Sequence, residues 1–160
     1  MKRTFRRSAL CRSVWGGAYI ASGSDLNALY YNPAGLSYLF YNEAAASYNN
    51  LYGLGIHNGY FAFAFPLFGI ANTAVSYEYL YFNDEELEIF DHVIDIGLAR
   101  NLFIIGLHGG IAGTYHIKTA RIDDETIIDE TATSYDIGLL YDNFNMFHKL
   151  LDPLSCGILI

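Results

Sequence analysis

The segment from Ile70 to Phe82, I-A-N-T-A-V-S-Y-E-Y-L-Y-F, alternates between two kinds of residue and decides the fold. One set is mostly apolar or aromatic and contains Ala71, Thr73, Val75, Tyr77, Tyr79 and Tyr81. The other set is small or polar and contains Asn72, Ala74, Ser76 and Glu78. Because successive side chains of a β-strand point to opposite faces, this pattern predicts a strand with one apolar face and one polar face.

The same alternation recurs along most of the chain. It predicts strands at roughly Glu43–Asn50, Asn58–Leu67, Ile70–Phe82, Asp91–Arg100, Phe103–Thr119 and Thr131–Asp142. Ser155 to Ile160 resembles the start of one more strand. The sequence therefore predicts an all-β fold of about six to seven antiparallel strands, with residues 43–160 forming the sheet.

The composition indicates whether this sheet contacts lipid or water. Hydrophobic residues make up 52% of the 160 residues and aromatic residues 16%. A membrane helix needs about 20 mostly apolar residues, and the uncharged runs here alternate instead. Tyr77, Tyr79 and Tyr81 gather at one end of a strand and Tyr141 at the end of another, as expected where rings lie at lipid headgroups. A soluble half-buried sheet alternates in the same way, but the tyrosines favour a transmembrane β-barrel.

The connections predicted between the strands alternate in length. Leu51–His57, Asn83–Phe90 and Ala120–Glu130 are long, whereas Pro66–Gly69 and Arg100–Leu102 are short. Outer-membrane barrels have short periplasmic turns and longer outer loops, which this order matches. The smallest bacterial single-chain barrels have about eight strands, so the predicted sheet is the N-terminal part of a barrel and does not close by itself.

The polar face of the predicted strands is the candidate functional surface. In a barrel this face lines the lumen, where polar groups are needed for hydration and pairing, and such lining is a commoner role than ligand recognition. The predicted lumen-facing residues are Asn72, Ser76, Glu78, Asp95, His108, His116, Lys118, Ser134 and Asp136.

The stretch before the strands, residues 16–42, contains the motif Asn32-Pro33-Ala34-Gly35. Proline fixes its own φ, asparagine favours the start of a turn, and Gly35 accepts backbone conformations closed to other residues. These residues alone predict a structural turn.

The same stretch resembles the N-terminal region of the FadL-like outer-membrane proteins, including a spirochaete group and the PorV branch. The matching residues are Gly17, Ala21, Asp25, Ala28, Leu29, Asn32, Pro33, Ala34, Gly35 and Leu36. Beyond Leu36 the resemblance consists of the order and pattern of the strands.

The resemblance implies a location and a function. It implies that residues 16–42 form a plug inside a barrel in the outer membrane, in contact with lipid, with Asp25 and Asn32 to Gly35 as the plug motif. It also implies passive transport of hydrophobic small molecules, such as fatty acids, past a kink in that plug. The PorV branch implies an alternative, a scaffold that binds secreted proteins and transports nothing. A soluble secreted β-sandwich and an inactive truncated gene fragment are further alternatives.

Charge and motif content exclude other classes of function. The net charge is −8, and the acidic residues gather in Asp84–Glu88 and Asp123–Glu130, so nucleic acid is not an expected partner. Neither acidic run has the ligand spacing of an EF-hand, and Cys11 and Cys156 stand in no metal-binding pattern, so no metal is expected. Catalytic and phosphate-binding motifs are lacking too, which predicts neither an enzyme nor a cofactor.

Residues 1–15 form a basic segment that resembles a degenerate signal peptide. Met1–Arg7 has the charge of a signal-peptide start, but Ser8–Val14 contains Cys11 and Arg12 where an apolar stretch of about 7–15 residues belongs. The export signal is therefore expected to lie upstream or to be lost in a gene remnant.

Overall fold

A computed structural model describes residues 23–51, 55–67, 70–84, 87–102, 106–122, 125–144 and 154–159. A short helix α1 (Ala28–Tyr31) and a 3₁₀ helix (Pro33–Tyr38) precede the strands. The strands are β1 (Glu43–Leu51), β2 (Ile56–Leu67), β3 (Ala71–Asn83), β4 (Leu87–Asn101), β5 (Leu107–Ile122), β6 (Glu125–Phe144) and β7 (Leu154–Leu159). Among the described residues no helix is long and apolar enough to cross a membrane.

The strands form one antiparallel meander in which every strand pairs with its neighbours in sequence. The sheet has seven strands in the order β1-β2-β3-β4-β5-β6-β7, so β1 and β7 lie at its two edges. Strand length rises from 9 residues in β1 to 20 residues in β6. Gly55 and Gly106, which precede β2 and β5, have positive φ values of 71° and 75°, which only glycine adopts at little cost. The predicted all-β, antiparallel fold is confirmed.

The connections differ from the predicted ones. β3 and β4 are joined by residues 84–86, and β5 and β6 by residues 123–124, where long links were predicted. The link from β4 to β5, predicted to be short, spans residues 102–106. The predicted alternation of long and short links is therefore wrong, because β4 begins at Leu87 and β6 at Glu125, within the acidic runs that resemble loops.

A register shift explains why the start of β6 escapes the sequence pattern. Ala120 pairs with Ile128 but Arg121 pairs with Thr126, so the pairing of β5 and β6 shifts between Ala120 and Arg121. An extra residue on one strand interrupts the two-residue alternation that identifies a strand. The predicted sixth strand consequently began at Thr131 rather than at Glu125.

The two faces of the sheet differ in what covers them. Residues 23–42, called the N-terminal segment below, pack on one face, which we call the covered face. There the segment and the sheet share a core made of Leu26, Ala28, Leu29, Leu36, Leu39, Ala62, Ala64, Ala74, Ala99 and Ala112. Among the described residues, the fully buried members that the sheet contributes are alanines, with the partly buried Tyr60 packed against them, so the segment lies close to the strands.

The opposite face, called the apolar face below, is exposed. Its large side chains include Phe61, Val75, Tyr77, Ile94, Ile96, Leu98, Ile111, Tyr115, Tyr135, Ile137 and Leu139. Each of them is between 37% and 80% accessible. A soluble protein normally buries such a face and leaves the polar face in water, whereas here the segment covers the polar face.

Candidate functional site: the covered face and its N-terminal segment

The Asn32-Pro33-Ala34-Gly35 motif begins a helix. Asn32 has extended backbone angles, φ −160° and ψ 104°, which the following proline favours on steric grounds. Its side-chain Oδ1 accepts a hydrogen bond from the Ala34 N–H at 3.1 Å. Pro33 occupies the first position of the 3₁₀ helix, where its missing N–H costs nothing. The motif thus ends α1 and starts the 3₁₀ helix in one step.

Gly35 is required because there is no space for a side chain at this position, not because its backbone angles are unusual. Among the described glycines only Gly55 and Gly106 have positive φ, so the predicted special conformation of Gly35 is wrong. A Cβ on Gly35 would overlap the Gly23 carbonyl oxygen and would lie 2.9 Å from Ala28 Cβ. The absence of a side chain therefore lets the start of the segment pack against the 3₁₀ helix.

Asp25 stabilises the turn that leads into α1. Its Oδ1 accepts a hydrogen bond from the Asn27 N–H at 2.8 Å, and its carbonyl oxygen accepts one from the Ala28 N–H at 2.9 Å. Both bonds satisfy donors that the start of a helix leaves free. Asp25 therefore has a local structural role within the N-terminal segment.

Three glycines on adjacent strands form a seat for the segment. A Cβ on Gly97 of β4 would lie 3.1 Å from Leu36 Cδ1, and one on Gly110 of β5 would lie 2.6 Å from the Pro33 carbonyl oxygen. A Cβ on Gly138 of β6 would lie 2.9 Å from Pro33 Cδ and would overlap Asn32 Oδ1. Gly110 and Gly138 are direct partners across β5 and β6. We call Gly97, Gly110 and Gly138 the glycine seat.

Polar contacts fasten the two ends of the segment. The Leu26 N–H donates a hydrogen bond to Glu43 Oε2 at 3.0 Å, next to the start of β1. Asn72 Nδ2 on β3 donates to the Leu36 carbonyl at 2.8 Å and to the Leu39 carbonyl at 2.9 Å. Asn72 thereby holds the C-terminal end of the 3₁₀ helix against β3, in addition to the hydrogen bond from the Leu39 N–H to the Leu36 carbonyl at 3.1 Å.

Further contacts join the middle of the segment to β5 and β6. Asn32 Nδ2 donates to the Leu139 carbonyl at 3.3 Å, across 107 positions of sequence. Ser37 Oγ lies 2.7 Å from His108 Nδ1, and the rings of Tyr38 and His108 pack with centroids 4.3 Å apart. His108 is only 4% accessible. The segment is thus attached to β1, β3, β5 and β6 rather than resting on a single strand.

Next to the segment, one buried carboxylate joins three strands. Asp95 of β4 is 9% accessible. Its Oδ2 accepts a hydrogen bond from Ser76 Oγ of β3 at 2.9 Å, and its Oδ1 accepts one from Thr114 Oγ1 of β5 at 2.5 Å. Ser134 of β6 is the register partner of Thr114 and continues this row. Hydrogen bonds to a carboxylate are stronger than neutral ones, so the row ties the strands together.

A second polar group lies farther along the strands. His116 Nε2 of β5 is 2.5 Å from Asp91 Oδ1 of β4, and both side chains are about one third accessible. Lys118 is the register partner of Asp91. Glu78 Oε1 of β3 accepts a hydrogen bond from Asn58 Nδ2 of β2 at 3.1 Å. These side chains form hydrogen bonds and charge pairs, but they are not arranged as a nucleophile and a base.

The structure places all the predicted polar residues on the covered face. The register aligns Ser76 with Asp95, Asp95 with Thr114, and Ala112 with Asp136, and the remaining members follow at two-residue intervals. Asn72 and His108 contact the N-terminal segment, whereas Glu78, His116 and Lys118 lie beyond it toward the acidic ends of the strands. The polar residues therefore form two groups.

The predicted lumen-facing set left out several members of this face. Thr114, Asn58 and Asp91 share its two-residue spacing, so the alternation already contained the signal for them. A second set has roles that come from contact with a segment distant in sequence: Glu43, Gly97, Gly110 and Gly138.

A cavity of about 290 Å³ opens beside the segment and is lined in part by Ser37, Asn72, Ala99 and Asn101.

Comparison with protein-family models, curated proteins and solved structures gives no match for this chain. The resemblance to the FadL-like family therefore remains a prediction from the residues that carry it.

Proposed function

We propose that this chain forms part of a FadL-like β-barrel in an outer membrane, with the apolar face against lipid and the N-terminal segment as a plug inside. The observation that carries the proposal is the arrangement of the two faces. The polar face is covered by the segment, and the face rich in isoleucine, leucine and tyrosine is bare. Hydrocarbon is the solvent in which such a face is stable without a protein partner.

The distribution of charge on the apolar face supports the proposal. Charged side chains occur there only at strand ends, at Arg100 on one side and at Glu88, Arg121 and Asp129 on the other. Between these ends, the described positions of this face carry no Asp, Glu, Lys or Arg. A strand crosses a bilayer with about 9–11 residues, and β3 to β6 are all longer than that.

The seven strands of the sheet are too few for closure. Barrels of single bacterial chains have about eight or more strands, and an open edge in hydrocarbon leaves N–H and C=O groups unpaired at several kcal/mol each. Closure therefore requires additional strands beyond the described sheet. The soluble β-sandwich alternative instead requires a second sheet over the apolar face.

The proposed activity is passive transport of hydrophobic small molecules, with fatty acids as the first candidates. The cavity of about 290 Å³ beside the segment supports a path there, and the tight seating of Asn32 and Leu36 argues that the segment itself stays in place. The scaffold alternative, binding of secreted proteins, is favoured by the exposed acidic end of β6, from Glu125 to Glu130. The inactive gene fragment is a further alternative.

Membrane topology can be tested with single cysteines. In a variant with Cys11 and Cys156 replaced by Ser and a working export signal added, we expect Asp84→Cys and Glu125→Cys to react with an impermeant thiol reagent in intact cells. Both positions lie at the end of the sheet that holds the β3–β4 and β5–β6 turns. The matched control Ile70→Cys, which is 68% accessible at the opposite end, should react only after the outer membrane is opened. Reaction of all three positions in intact cells, or of none, would contradict the topology.

Transport can be tested with the native gene. We expect deletion of that gene to slow the uptake of a fluorescent fatty acid, and its return on a plasmid to restore uptake. If deletion leaves uptake unchanged but removes secreted proteins from the cell surface, the result would contradict transport and support the scaffold function. Unchanged uptake and unchanged secretion, with no protein detected in the membrane, would indicate an inactive gene.

A further inference from the structure

The apolar face carries an aromatic pocket near its acidic end. Its cavity has a volume of about 450 Å³ and is formed by β1 to β4. We call the lining side chains the aromatic cradle: Tyr48, His57, Tyr77, Tyr79, Tyr81, Phe90 and His92.

Tyr79 forms the floor of the cradle. Gly59 of β2 is the register partner of Tyr79 of β3, and a Cβ on Gly59 would lie only 2.5 Å from Tyr79 Cζ. The tyrosine ring therefore lies over the glycine, flat against the sheet. Tyr48 and His92 pair with Gly59 and Tyr79 in the same row, so they stand on either side of this floor.

The walls contain two histidines held by tyrosine hydroxyls. Tyr48 Oη lies 2.6 Å from His57 Nδ1, and Tyr77 Oη lies 2.9 Å from His92 Nδ1. When each hydroxyl donates to Nδ1, the neutral imidazole carries its proton on Nε2. The rings of each pair are nearly parallel, at 20° and 12°. The tyrosines thus orient both imidazoles, and in that tautomer the second ring nitrogen of each is a donor.

We propose that the aromatic cradle binds a sugar ring of a glycolipid headgroup. A sugar presents apolar C–H faces to aromatic rings and hydroxyl groups to the imidazole and phenol groups around them. The cradle has no charged side chain, and at the nearby end of the strands Arg121 is the register partner of Glu88 while Asp129 adds a further negative charge, so no unmatched cation there favours a phosphate headgroup.

The position of the cradle favours a lipid over a free sugar. It opens on the same face as Phe61 and Ile94, which lie one row closer to the middle of the sheet. A lipid whose headgroup occupies the cradle can lay its acyl chains along these side chains, and aromatic side chains of barrels gather at this headgroup level. This inference rests on the proposed function, because only a lipid-facing surface meets such a headgroup in a bilayer.

The test uses the full chain in phosphocholine micelles and fluorescently labelled digalactosyl diacylglycerol as the probe, with binding measured by anisotropy. We expect His57→Phe combined with His92→Phe to raise the Kd about tenfold, equivalent to ~1.4 kcal/mol, because the rings remain while the donors are lost. Tyr79→Leu, which removes the floor, should weaken binding at least as much. The matched control Tyr135→Leu removes an exposed aromatic ring from the same face on β6, away from the cradle and from Phe61 and Ile94, and should leave the Kd unchanged.

Several outcomes would overturn the inference. Equal effects of Tyr79→Leu and Tyr135→Leu would mean that any aromatic ring on this face suffices. Equally tight binding of labelled phosphatidylglycerol would assign the cradle to headgroups in general, and full competition by lactose would assign it to free sugars. Equal reaction of Asp84→Cys and Ile70→Cys in intact cells would defeat the proposed function itself. The expected labelling together with a Kd that the variants leave unchanged would defeat only the cradle.

Discussion

Replacing Gly110 by alanine is expected to destabilise the chain by about 1–3 kcal/mol, the usual cost of overpacking a closely packed site. The new Cβ would lie 2.6 Å from the Pro33 carbonyl oxygen, and the atoms it meets belong to the backbone of the N-terminal segment. Backbone gives way less readily than the tip of a side chain, so the segment must move off the glycine seat. Urea unfolding in micelles measures the change in free energy, and protease cleavage within residues 23–42 reports release of the segment.

Gly113→Ala is the matched control, on the same strand but on the opposite face. A Cβ there would lie 3.7 Å from the Tyr135 ring, an ordinary contact distance. Because alanine restricts the unfolded chain more than glycine does, this change should be neutral or stabilise by a few tenths of a kcal/mol. Equal destabilisation by both substitutions would show that strand glycines matter for the strand and not as a seat for the segment.

The sequence predicted the faces of the strands better than their ends. Alternation depends only on the geometry of a single strand, so Asn72, Ser76 and Asp95 could be assigned to one face without knowing the sheet. The ends depend on pairing between strands. The acidic stretches at Glu88 and Glu125 resembled loops, although their backbones pair with Asn83 and Ile122 across the turns.

The close contacts of the segment were beyond prediction for a different reason. Asn32 and the Leu139 carbonyl are 107 positions apart, and no local pattern relates them. The motif around Pro33 did predict a break in the chain, because proline restricts its own backbone and that of Asn32. The packing of this break against glycines of β4, β5 and β6 depends on the assembled sheet, so the sequence alone does not predict it.

A lysine in the middle of the apolar face should distinguish lipid from water as the solvent of this sheet. Ile96 of β4 is 56% accessible, and its register partners are Val75 of β3 and Gly113 of β5. If this face meets lipid, Ile96→Lys should cost about 2–4 kcal/mol, as charged residues do near the midplane of outer-membrane barrels. If it meets water, the cost is limited to the lower β-propensity of lysine, at most about 1 kcal/mol. The measurement is the free energy of unfolding in urea after the closed barrel, this chain together with the additional strands that closure requires, has folded into phosphatidylcholine vesicles.

Thr119→Lys provides the depth control for this prediction. Thr119 lies on the same face of β5 near its acidic end, between Phe90 of β4 and Asp129 of β6. At that level a lysine is close to headgroups and should cost about 0–1 kcal/mol if the face contacts lipid. The two substitutions introduce the same charge into the same sheet. A lysine at position 119 also pairs with Asp129, which contributes up to about 1 kcal/mol, so a larger difference between the two measures burial in hydrocarbon. Equal and small costs at Ile96 and Thr119, with improved solubility without detergent, would contradict the barrel and favour a soluble sheet that buries this face against another protein layer.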